Sequence, residues 1–506
     1  MPAWRQVVFG LAVAGLPGAA GAEEPRRAPR QGPTVVVTAT RGPTEASRSG
    51  ATSSVVTGDE IEAAHHIETQ DALRAVPGLH FVKTANRGGT TSLFLRGGES
   101  DYTSILIDGF RINVDGGSFD FENLTNDGVD RIEVVRGAGS TLYGSDAMAG
   151  VVNVLTRRGE GPPTATVSSE AGSFGILRER LRFEAGEGEA AYAIDLSHLL
   201  QDDGRYENSD FRDFSFSGRF DQRMSETTTL TLLQRSLRST LGVFTTSAGQ
   251  RFDVPDPNDT KKRNDSLTGL TVTCVPEPDW ESTLKVSRYL YETKFDTRED
   301  RSRGAEYSDT SSSTNLTDFE RLGIDWQNAY AFGDDERIVA GGAFEQDTLL
   351  RATAVPGAAT SSEVDDSRGT VSGFAQVDWG FDGRLFLTLG GRVDNSSDFE
   401  TAATQRQAVA WLLEGGTRLR ASHGTGIKAP TFFEIHGSGT VPGLATRGIL
   451  DPETEKSRTL DGGVDRPFWG ERGNFSLTGF YNRYEDLVEL ESSAIGYSQG
   501  GEAFSR

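Results

Sequence analysis

Acidic side chains are the residues of this sequence best suited to binding an ion. The segment QDDGRYENSDFRD at 201–213 contains Asp202, Asp203, Asp210 and Asp213, and DVPDPND follows at 253–259. Carboxylate oxygens are the ligands that Ca²⁺ prefers, although this spacing does not match the calcium loop of an EF-hand. The four aspartates are therefore predicted calcium ligands, with solvated acidic loops as the alternative.

Motifs typical of enzymes are not convincing in this chain. No GxSxG or HExxH motif occurs in a supporting context. His65 and His66 are adjacent but lack a further set of ligands, so we interpret them as structural. The single cysteine, Cys274, cannot form an internal disulfide and is interpreted as a small apolar residue. We predict that the protein is not an enzyme and has no cofactor other than the candidate calcium.

A short strand-forming segment, TVVVTATR at 34–41, follows the polar and proline-rich leader EEPRRAPRQGP at 23–33. The leader has almost nothing to bury. A β-forming segment on such an arm is suited to pairing with a sheet edge that another molecule supplies. The alternative is an ordinary edge strand of the domain that follows.

The N-terminus and the charge restrict the compartment and the partners. Residues 1–22 have the weak positive start, the apolar stretch and the small-residue cleavage site of a signal peptide. No later segment has the roughly 18 consecutive apolar residues of a transmembrane helix. A formal net charge of −23 argues against nucleic acid as a partner. We therefore predict an exported protein that is not a helical membrane protein.

Two regions with different patterns follow the leader. Residues 34–160 mix short helical segments with strands, and RRGEGPP at 157–163 separates them from a long region of alternating residues. In TVSGFAQVDWGF, Val371, Trp379 and Phe381 share one face, whereas Gln376 lies on the other. A period of two predicts β-strands with one apolar and one polar face.

Alternation alone fits either a soluble β-sandwich or an outer-membrane β-barrel. In the sandwich the apolar face points into a core, whereas in the barrel it points outward to lipid. The export signal, the lack of disulfides and the long polar loops favour the barrel.

Several motifs occur in one order in the first region, and together they are specific. They are TVVVTATR (34–41), LRAVPG (73–78), SLFLRGG (92–98), ILIDGFRIN (105–113) and IEVVRGAGSTLYGSDAMAGVVNVLTRRG (132–159). With these motifs the chain resembles the TonB-dependent receptors, and in detail the cobalamin (vitamin B12) receptor branch.

This resemblance implies a transmembrane antiparallel β-barrel, residues 164–506, with an N-terminal mixed α/β plug domain, residues 42–160, in its lumen. It implies a receptor of the bacterial outer membrane that takes up a large scarce nutrient, cobalamin above all. The implied partners are the periplasmic energy transducer TonB, the substrate, and outer-membrane lipid and lipopolysaccharide around a monomer. The segment 34–41 stands where the family carries its TonB box, with TonB-binding residues Thr34, Val35, Val36, Val37, Thr38 and Ala39.

The resemblance also implies roles for residues of the plug. Substrate would bind at its extracellular apex, in loops that contain Asn86, Arg87, Gly88, Asn113, Val114, Asp115 and Ser118. Arg96 and Arg136, each followed by a glycine (Gly97 and Gly137), are expected to pair with acidic side chains of the barrel wall, with surface arginines beside turns as the alternative. Tyr143 and Gly144 are expected to allow compact packing of the plug. Asp108 and Gly109 are expected to form a turn between two plug strands.

Two alternatives stay open at this point. A ferric siderophore or haem receptor would share the plug and differ at the apex, whereas a passive porin would need neither plug nor box. The barrel also looks incomplete, because the 343 residues after 163 (506 minus 163) supply roughly 17 strands. The resemblance implies about 22 strands, so we expect a chain that lacks its C-terminal strands.

Overall fold

The structure is a computed structural model that describes residues 35–84, 87–114, 119–202, 207–245, 255–298, 312–355, 362–437, 448–449, 452–469, 473–491 and 496–506. The predicted signal peptide at 1–22, the leader at 23–33 and Thr34 lie outside the described residues.

The first region contains nine strands and three short α-helices. Its strands are β1 (Val35–Val36), β2 (Thr44–Glu45), β3 (Thr52–Thr57), β4 (Leu79–Lys83), β5 (Thr91–Leu95), β6 (Thr103–Ile107), β7 (Phe110–Arg111), β8 (Val129–Arg136) and β9 (Gly150–Thr156). Its α-helices are α1 (Gly58–Ala63), α2 (Thr69–Leu73) and α3 (Ser140–Tyr143), and 3-10 turns lie at Ala46–Arg48 and Phe121–Asn123. The predicted helices and strands of this region are confirmed.

A five-stranded sheet of order β3-β8-β9-β6-β7 organises this plug domain. The apolar runs of β6, β8 and β9 are buried because elements cover both of their faces. The predicted turn is present: Asp108 and Gly109 have φ of 49° and 82° and connect β6 to the antiparallel β7. Helix α1 begins with a capping box in which Thr57 and Glu60 bond each other's backbone N–H groups.

The second region forms one antiparallel sheet of 16 strands in chain order. They are β10 (Gly161–Gly172), β11 (Ile176–Glu187), β12 (Ala190–Gln201), β13 (Phe211–Arg223), β14 (Thr228–Thr245), β15 (Pro255–Glu277), β16 (Trp280–Thr297), β17 (Ser313–Ala331), β18 (Arg337–Ala354), β19 (Ser362–Phe381), β20 (Leu385–Ser396), β21 (Ala402–Leu412), β22 (Arg418–Lys428), β23 (Glu455–Phe468), β24 (Gly473–Glu491) and β25 (Gly496–Ser505). A 3-10 turn lies at Glu414–Gly416, and helix α4 (Phe432–His436) lies between β22 and β23.

Each of these strands pairs with the next one in the chain, and within the described residues β10 and β25 are paired on one side only. Across the described residues the sheet has 16 strands, close to the predicted 17. Connections at one end of the sheet are all short turns, such as 188–189 between β11 and β12, whereas the other end includes longer segments, such as 298–312 between β16 and β17. Barrels of the outer membrane have short periplasmic turns and longer extracellular loops. We name the two ends accordingly.

Exposure decides between the sandwich and the barrel. The side chains of Val371, Trp379 and Leu389 are 60%, 46% and 54% exposed, whereas Gln376 and Asp394 on the opposite face are 1% and 2% exposed. A sandwich would bury the apolar face instead. The sheet therefore turns its apolar face outward and wraps its polar face around the plug, as predicted for a barrel.

The main apolar core lies inside the plug and extends to the barrel wall. It joins plug residues such as Ile105 and Val152 with Phe319 and Leu349 of the barrel and Phe432 of α4. Among the described residues, none of the helices is both long enough and apolar enough to cross a membrane.

Candidate functional site

The N-terminal segment predicted as a TonB box is docked inside the barrel. Strand β1 pairs with β2, with Val35 opposite Glu45 and Val36 opposite Thr44. Val36 and Ala39 are 0% exposed. The sequence predicts a strand held on an open arm, and the structure differs because apolar side chains of the segment are buried against the plug, in a cluster with Val135.

One carboxylate holds the turn of this segment. Glu133 Oε2 accepts hydrogen bonds from the backbone N–H of Val37 and of Thr38, both 2.9 Å long, and from the Thr38 hydroxyl at 2.7 Å. Glu133 is itself 0% exposed, and Arg131 forms a 2.9 Å ion pair with its other oxygen. Hydrogen bonds to an ionised group are stronger than neutral ones, so Glu133 is the main polar anchor of the segment.

Other contacts hold the carbonyl groups of the same segment. The Tyr143 hydroxyl donates to the Thr38 carbonyl at 3.1 Å, and Arg406 of β21 donates to the Ala39 carbonyl at 2.9 Å. Burial raises the pKa of Tyr143, which keeps its hydroxyl protonated and able to donate. The docked segment thus contacts both the plug and the barrel.

Arg41, the last residue of the segment, binds to the barrel wall through its guanidinium group. Its guanidinium lies 2.8 Å from Asp325 of β17, and its centre is 4.3 Å from the ring centroid of Phe374 and 5.2 Å from that of Tyr143. An ion pair that also stacks on aromatic rings favours arginine over lysine.

Ion pairs between plug and barrel surround the docked segment. Arg96 pairs with Asp461 of β23, and their side chains are 3% and 1% exposed. In the opposite sense, plug carboxylates pair with cations of the wall: Asp127 with Arg178, and Glu122 with Lys261 at 2.7 Å.

The pKa values of these plug carboxylates differ in direction. Burial raises the pKa of Glu122 to about 7 against the lowering effect of Lys261. Burial would also raise the pKa of Asp127, but the guanidinium groups of Arg178 and Arg180 outweigh it and lower that pKa. Asp127 is therefore a permanent charge at the interface, whereas burial opposes ionisation of Glu122.

Comparison with known families gives a direct result. Residues 169–506 match the family described as TonB dependent receptor-like, beta-barrel, and residues 45–151 match the TonB-dependent Receptor Plug Domain. The chain belongs to the TonB-dependent receptors. This family consists of outer-membrane β-barrel receptors, so the first region is its plug domain. The assignment of residues 34–41 as a TonB box stays a prediction.

Solved receptors share the fold of this TonB-dependent receptor. The ferripyoverdine receptor of Pseudomonas aeruginosa is similar with a TM-score of 0.76 and 13% identity, over 93% of this chain and 69% of that one. The ferric yersiniabactin uptake receptor FyuA of Yersinia pestis gives 0.72 and 15%, over 90% and 74%. The siderophore receptor PirA of Acinetobacter baumannii gives 0.69 and 17%, over 89% and 74%. At these identities the likeness concerns the fold.

The described members of the predicted substrate-binding set, Arg87, Gly88, Asn113 and Val114, lie at the extracellular end of the receptor's plug. Arg87 pairs with Glu68 at 2.8 Å and donates to Gln201 at 3.0 Å, while Gly88 packs near the ring of Phe211. Asn113 is 0% exposed and accepts from the N–H of Ile105 at 2.7 Å.

These contacts hold the apex loops in place. The polar side chains of Arg87 and Asn113 bond to other residues of the protein. Val114 packs against the main core. Asn86, Asp115 and Ser118 lie outside the described residues. Direct contact of all these residues with substrate stays a prediction.

The predicted calcium ligands do not form a metal site among the described residues. The prediction that Asp213 is a loop ligand is corrected. Strand β13 begins at Phe211, so Asp213 is a residue of that strand, and its side chain faces the lumen and is 2% exposed. Asp202 follows the last residue of β12, Asp210 precedes the first residue of β13, and Asp203 lies outside the described residues.

The residues predicted to be structural take different roles. The prediction for Arg136 is corrected. Among the described residues its guanidinium donates to the Pro77 carbonyl and the Ser54 hydroxyl inside the plug, instead of pairing with a barrel carboxylate. Gly97, Gly137 and Gly144 have positive φ of 74°, 92° and 76°. Glycine adopts such angles without strain, and these turns place the plug beside the wall.

Glu133 and Asp461 make central contacts of the site, and neither was singled out from the sequence. Glu133 lies in the apolar run of β8, and a carboxylate in such a run is a signal of a buried polar partner. Asp461 lies in a strand of alternating polar and apolar residues. The sequence shows that its side chain points inward, but does not show which residue it pairs with.

Proposed function

We propose that this receptor takes up a large metal chelate across the bacterial outer membrane, driven by mechanical pulling on its TonB box by the periplasmic protein TonB. The observation that carries this proposal is the docking of the box by Glu133 at the periplasmic side of a plug that fills the barrel. A segment held by a few hydrogen bonds is one that a partner protein can withdraw.

Strand pairing is the mode of contact that suits the box. Strand addition uses main-chain hydrogen bonds and makes few demands on side chains. Val36, which is 0% exposed, must leave its pocket before another strand can pair with it fully. The plug in turn must shift before the lumen opens, since its ion pairs with the wall, such as Arg96 with Asp461, fix it there.

Two substrates fit the proposal, and different observations favour each one. The ordered motifs of the plug resemble those of the cobalamin-receptor branch, whereas three of the similar solved receptors are named for siderophores. Both ligands are large chelates of a metal, and a haem receptor would share that property. No catalytic step is part of this proposal.

Direct binding to the purified receptor separates the substrates. Equilibrium binding of cobalamin, a ferric hydroxamate, a ferric catecholate and haem should give saturable affinity for one class alone. If none of them binds and the receptor in planar bilayers conducts ions without any energising partner, the receptor is a porin and the proposal fails.

We also propose that further β-strands cover the edges of β10 and β25 in the membrane. Both edges are paired on one side only within the described residues, and unpaired backbone groups in hydrocarbon cost several kcal/mol each. Native mass spectrometry of the receptor extracted from outer membranes should give a mass above that of residues 23–506. A mass equal to that of residues 23–506 would contradict this proposal.

A further inference from the structure

Strands β21 and β22 separate before they reach the extracellular end of the barrel. Their ladder runs from Leu412 opposite Arg418 to Arg406 opposite Gly424 and stops there. Strand β21 nevertheless begins at Ala402 and β22 continues to Lys428. In the same register the next residues would continue to pair, but a polar cleft of about 420 Å³ lies beside them instead.

The plug occupies the edge of β22 that β21 leaves. The backbone N–H of Ile427 donates to the Ser140 hydroxyl at 3.2 Å, and its carbonyl accepts from the N–H of Asp146 at 3.2 Å. The N–H of Ala429 donates to the Ser145 hydroxyl at 2.9 Å. In an antiparallel strand the N–H and C=O of one residue point to the same side, so these groups of Ile427 face away from β23 and toward the place of β21.

Glycine makes this close approach feasible. A Cβ at Gly426 would lie 2.9 Å from the Met148 Cα, and one at Gly424 would lie 3.1 Å from the Ala138 Cβ. The backbone of β22 therefore packs directly on the plug, where a side chain would hold the two apart.

The same part of the plug also holds the TonB box. Tyr143 lies between Ser140 and Ser145 in sequence, and its hydroxyl donates to the Thr38 carbonyl. The segment is a compact turn, since the N–H of Gly144 donates to the Ser140 carbonyl at 2.8 Å. Its two sets of contacts, to the box and to β22, thus belong to one rigid unit.

We propose that residues 140–146, the coupling loop, are a two-state element that links the TonB box to the β21–β22 seam. Docked, the loop holds Thr38 and occupies the edge of β22. Withdrawn, the loop gives up its hydrogen bond to Thr38, which weakens the hold on the box, and leaves the groups of Ile427 to pair with Ala403 of β21, which closes the seam. This inference rests on the proposed function, because it assigns to the box a regulation that depends on the extracellular half of the wall.

The docked and withdrawn states of the coupling loop are both accessible because the edge of β22 forms similar hydrogen bonds in each one. The edge of β22 exchanges hydrogen bonds with the plug for hydrogen bonds with β21, so neither state leaves its backbone groups unsatisfied. Coupling between two sites is reciprocal: a change that weakens the β22 contact releases the box, and a change that weakens the box contact closes the seam.

The first test measures release of the box after a change at the seam. In a Cys274→Ser background, Val36→Cys reports box release through its rate of reaction with a maleimide, because Val36 is buried when docked. Ser145→Ala removes the acceptor of Ala429 and does not touch the box. We expect labelling to be about two- to tenfold faster, which corresponds to loss of one hydrogen bond.

The control for this test is Ser104→Ala. Ser104 is also a buried plug serine, and its hydroxyl has no hydrogen-bond partner among the described residues. It should leave the labelling rate unchanged. An equal rate in the Ser145→Ala and Ser104→Ala proteins, with unchanged unfolding midpoints, would overturn the inference.

The second test runs in the opposite direction. Ala403→Cys with Ile427→Cys, again in the Cys274→Ser background, reports seam closure through the yield of oxidative crosslinking. Tyr143→Phe removes the donor to Thr38 and should raise that yield by a similar factor. An unchanged yield would show that the loop does not join the two sites.

Failure of this inference can be told apart from failure of the proposed function. Neither readout measures transport, and both use the purified receptor. If seam and box respond independently while a box variant still abolishes uptake, the coupling loop is excluded and the proposed function stands.

Discussion

Glu133 is the side chain that makes the most polar contacts holding the proposed TonB box in its docked position. It accepts three hydrogen bonds from Val37 and Thr38 and is fully buried. Each bond to a charged group contributes about 1.5–3 kcal/mol, although the Val37 and Thr38 donors share one oxygen and their effects do not add. The stability of the docked box should therefore depend more on Glu133 than on any exposed carboxylate.

We predict that Glu133→Ala raises the rate of tryptic cleavage after Arg41 at least tenfold. Arg41 is 12% exposed in the docked state, and cleavage follows the population of the open state when opening is fast. Mass spectrometry of a digestion time course measures the rate. Glu187→Ala, which changes an exposed carboxylate, should cleave at the wild-type rate; cleavage of the Glu133→Ala receptor at that same rate would exclude Glu133 as the anchor.

The buried pair of Arg96 and Asp461 is predicted to stabilise the plug in the barrel. Asp461→Ala leaves a buried guanidinium without its partner, which costs about 3–5 kcal/mol. Unfolding of the plug in urea, followed in detergent, measures this loss. Asp71→Ala breaks the pair with the half-exposed Arg74 and should cost below about 1 kcal/mol. Equal losses in the two variants would contradict the assignment.

Residue roles could be predicted from sequence only in part. The Arg96-Gly97 motif pointed to a cation that meets an acidic wall, and the structure supplies Asp461 as its partner. The similar Arg136-Gly137 motif led to a wrong prediction, because nearby Pro77 and Ser54 satisfy that guanidinium first. A sequence motif fixes the donor, whereas the fold decides which acceptor is near.

At the scale of elements, β22 packs on the plug at positions where glycine is required. Gly426→Ala places a Cβ 2.9 Å from the Met148 backbone and 2.6 Å from the Ser457 hydroxyl. We predict a loss of about 1–3 kcal/mol in the urea unfolding of the plug, as for other overpacked sites.

Gly462→Ala in the neighbouring β23 is the matched control, since a Cβ there meets no heavy atom within 4 Å. Its unfolding midpoint should stay at the wild-type value. If the two alanine variants unfold alike, β22 does not pack on the plug as described.

Element types were predictable where local signals agreed. The mixture of short helices and strands in the plug was predicted, and a period of two marks the barrel strands. The docking of β1 was not predictable from its sequence. A strand of two residues is held by Glu133 and Tyr143, which lie about a hundred residues away in the chain, and no local pattern encodes such a contact.

For the whole molecule, the period of two left two architectures open. The period alone does not separate them, because a sandwich and a barrel place identical alternation in opposite directions, and the exposure of each face in the structure decides. Val371 outward and Gln376 inward are observations of the assembled sheet. Substrate identity was likewise not encoded in any motif, since the Gly- and Asn-rich segments predicted to bind it have the composition of any exposed loop.

The central claim is that uptake requires main-chain pairing of the TonB box, and energised uptake by cells carrying Val36→Pro tests it most directly. Proline removes the N–H of residue 36, whereas the matched Val36→Ala receptor keeps it. We predict that Val36→Pro abolishes accumulation of the radiolabelled chelate that the purified receptor binds, with binding to the cells unchanged, and that Val36→Ala keeps uptake. Wild-type accumulation through the Val36→Pro receptor would contradict the account.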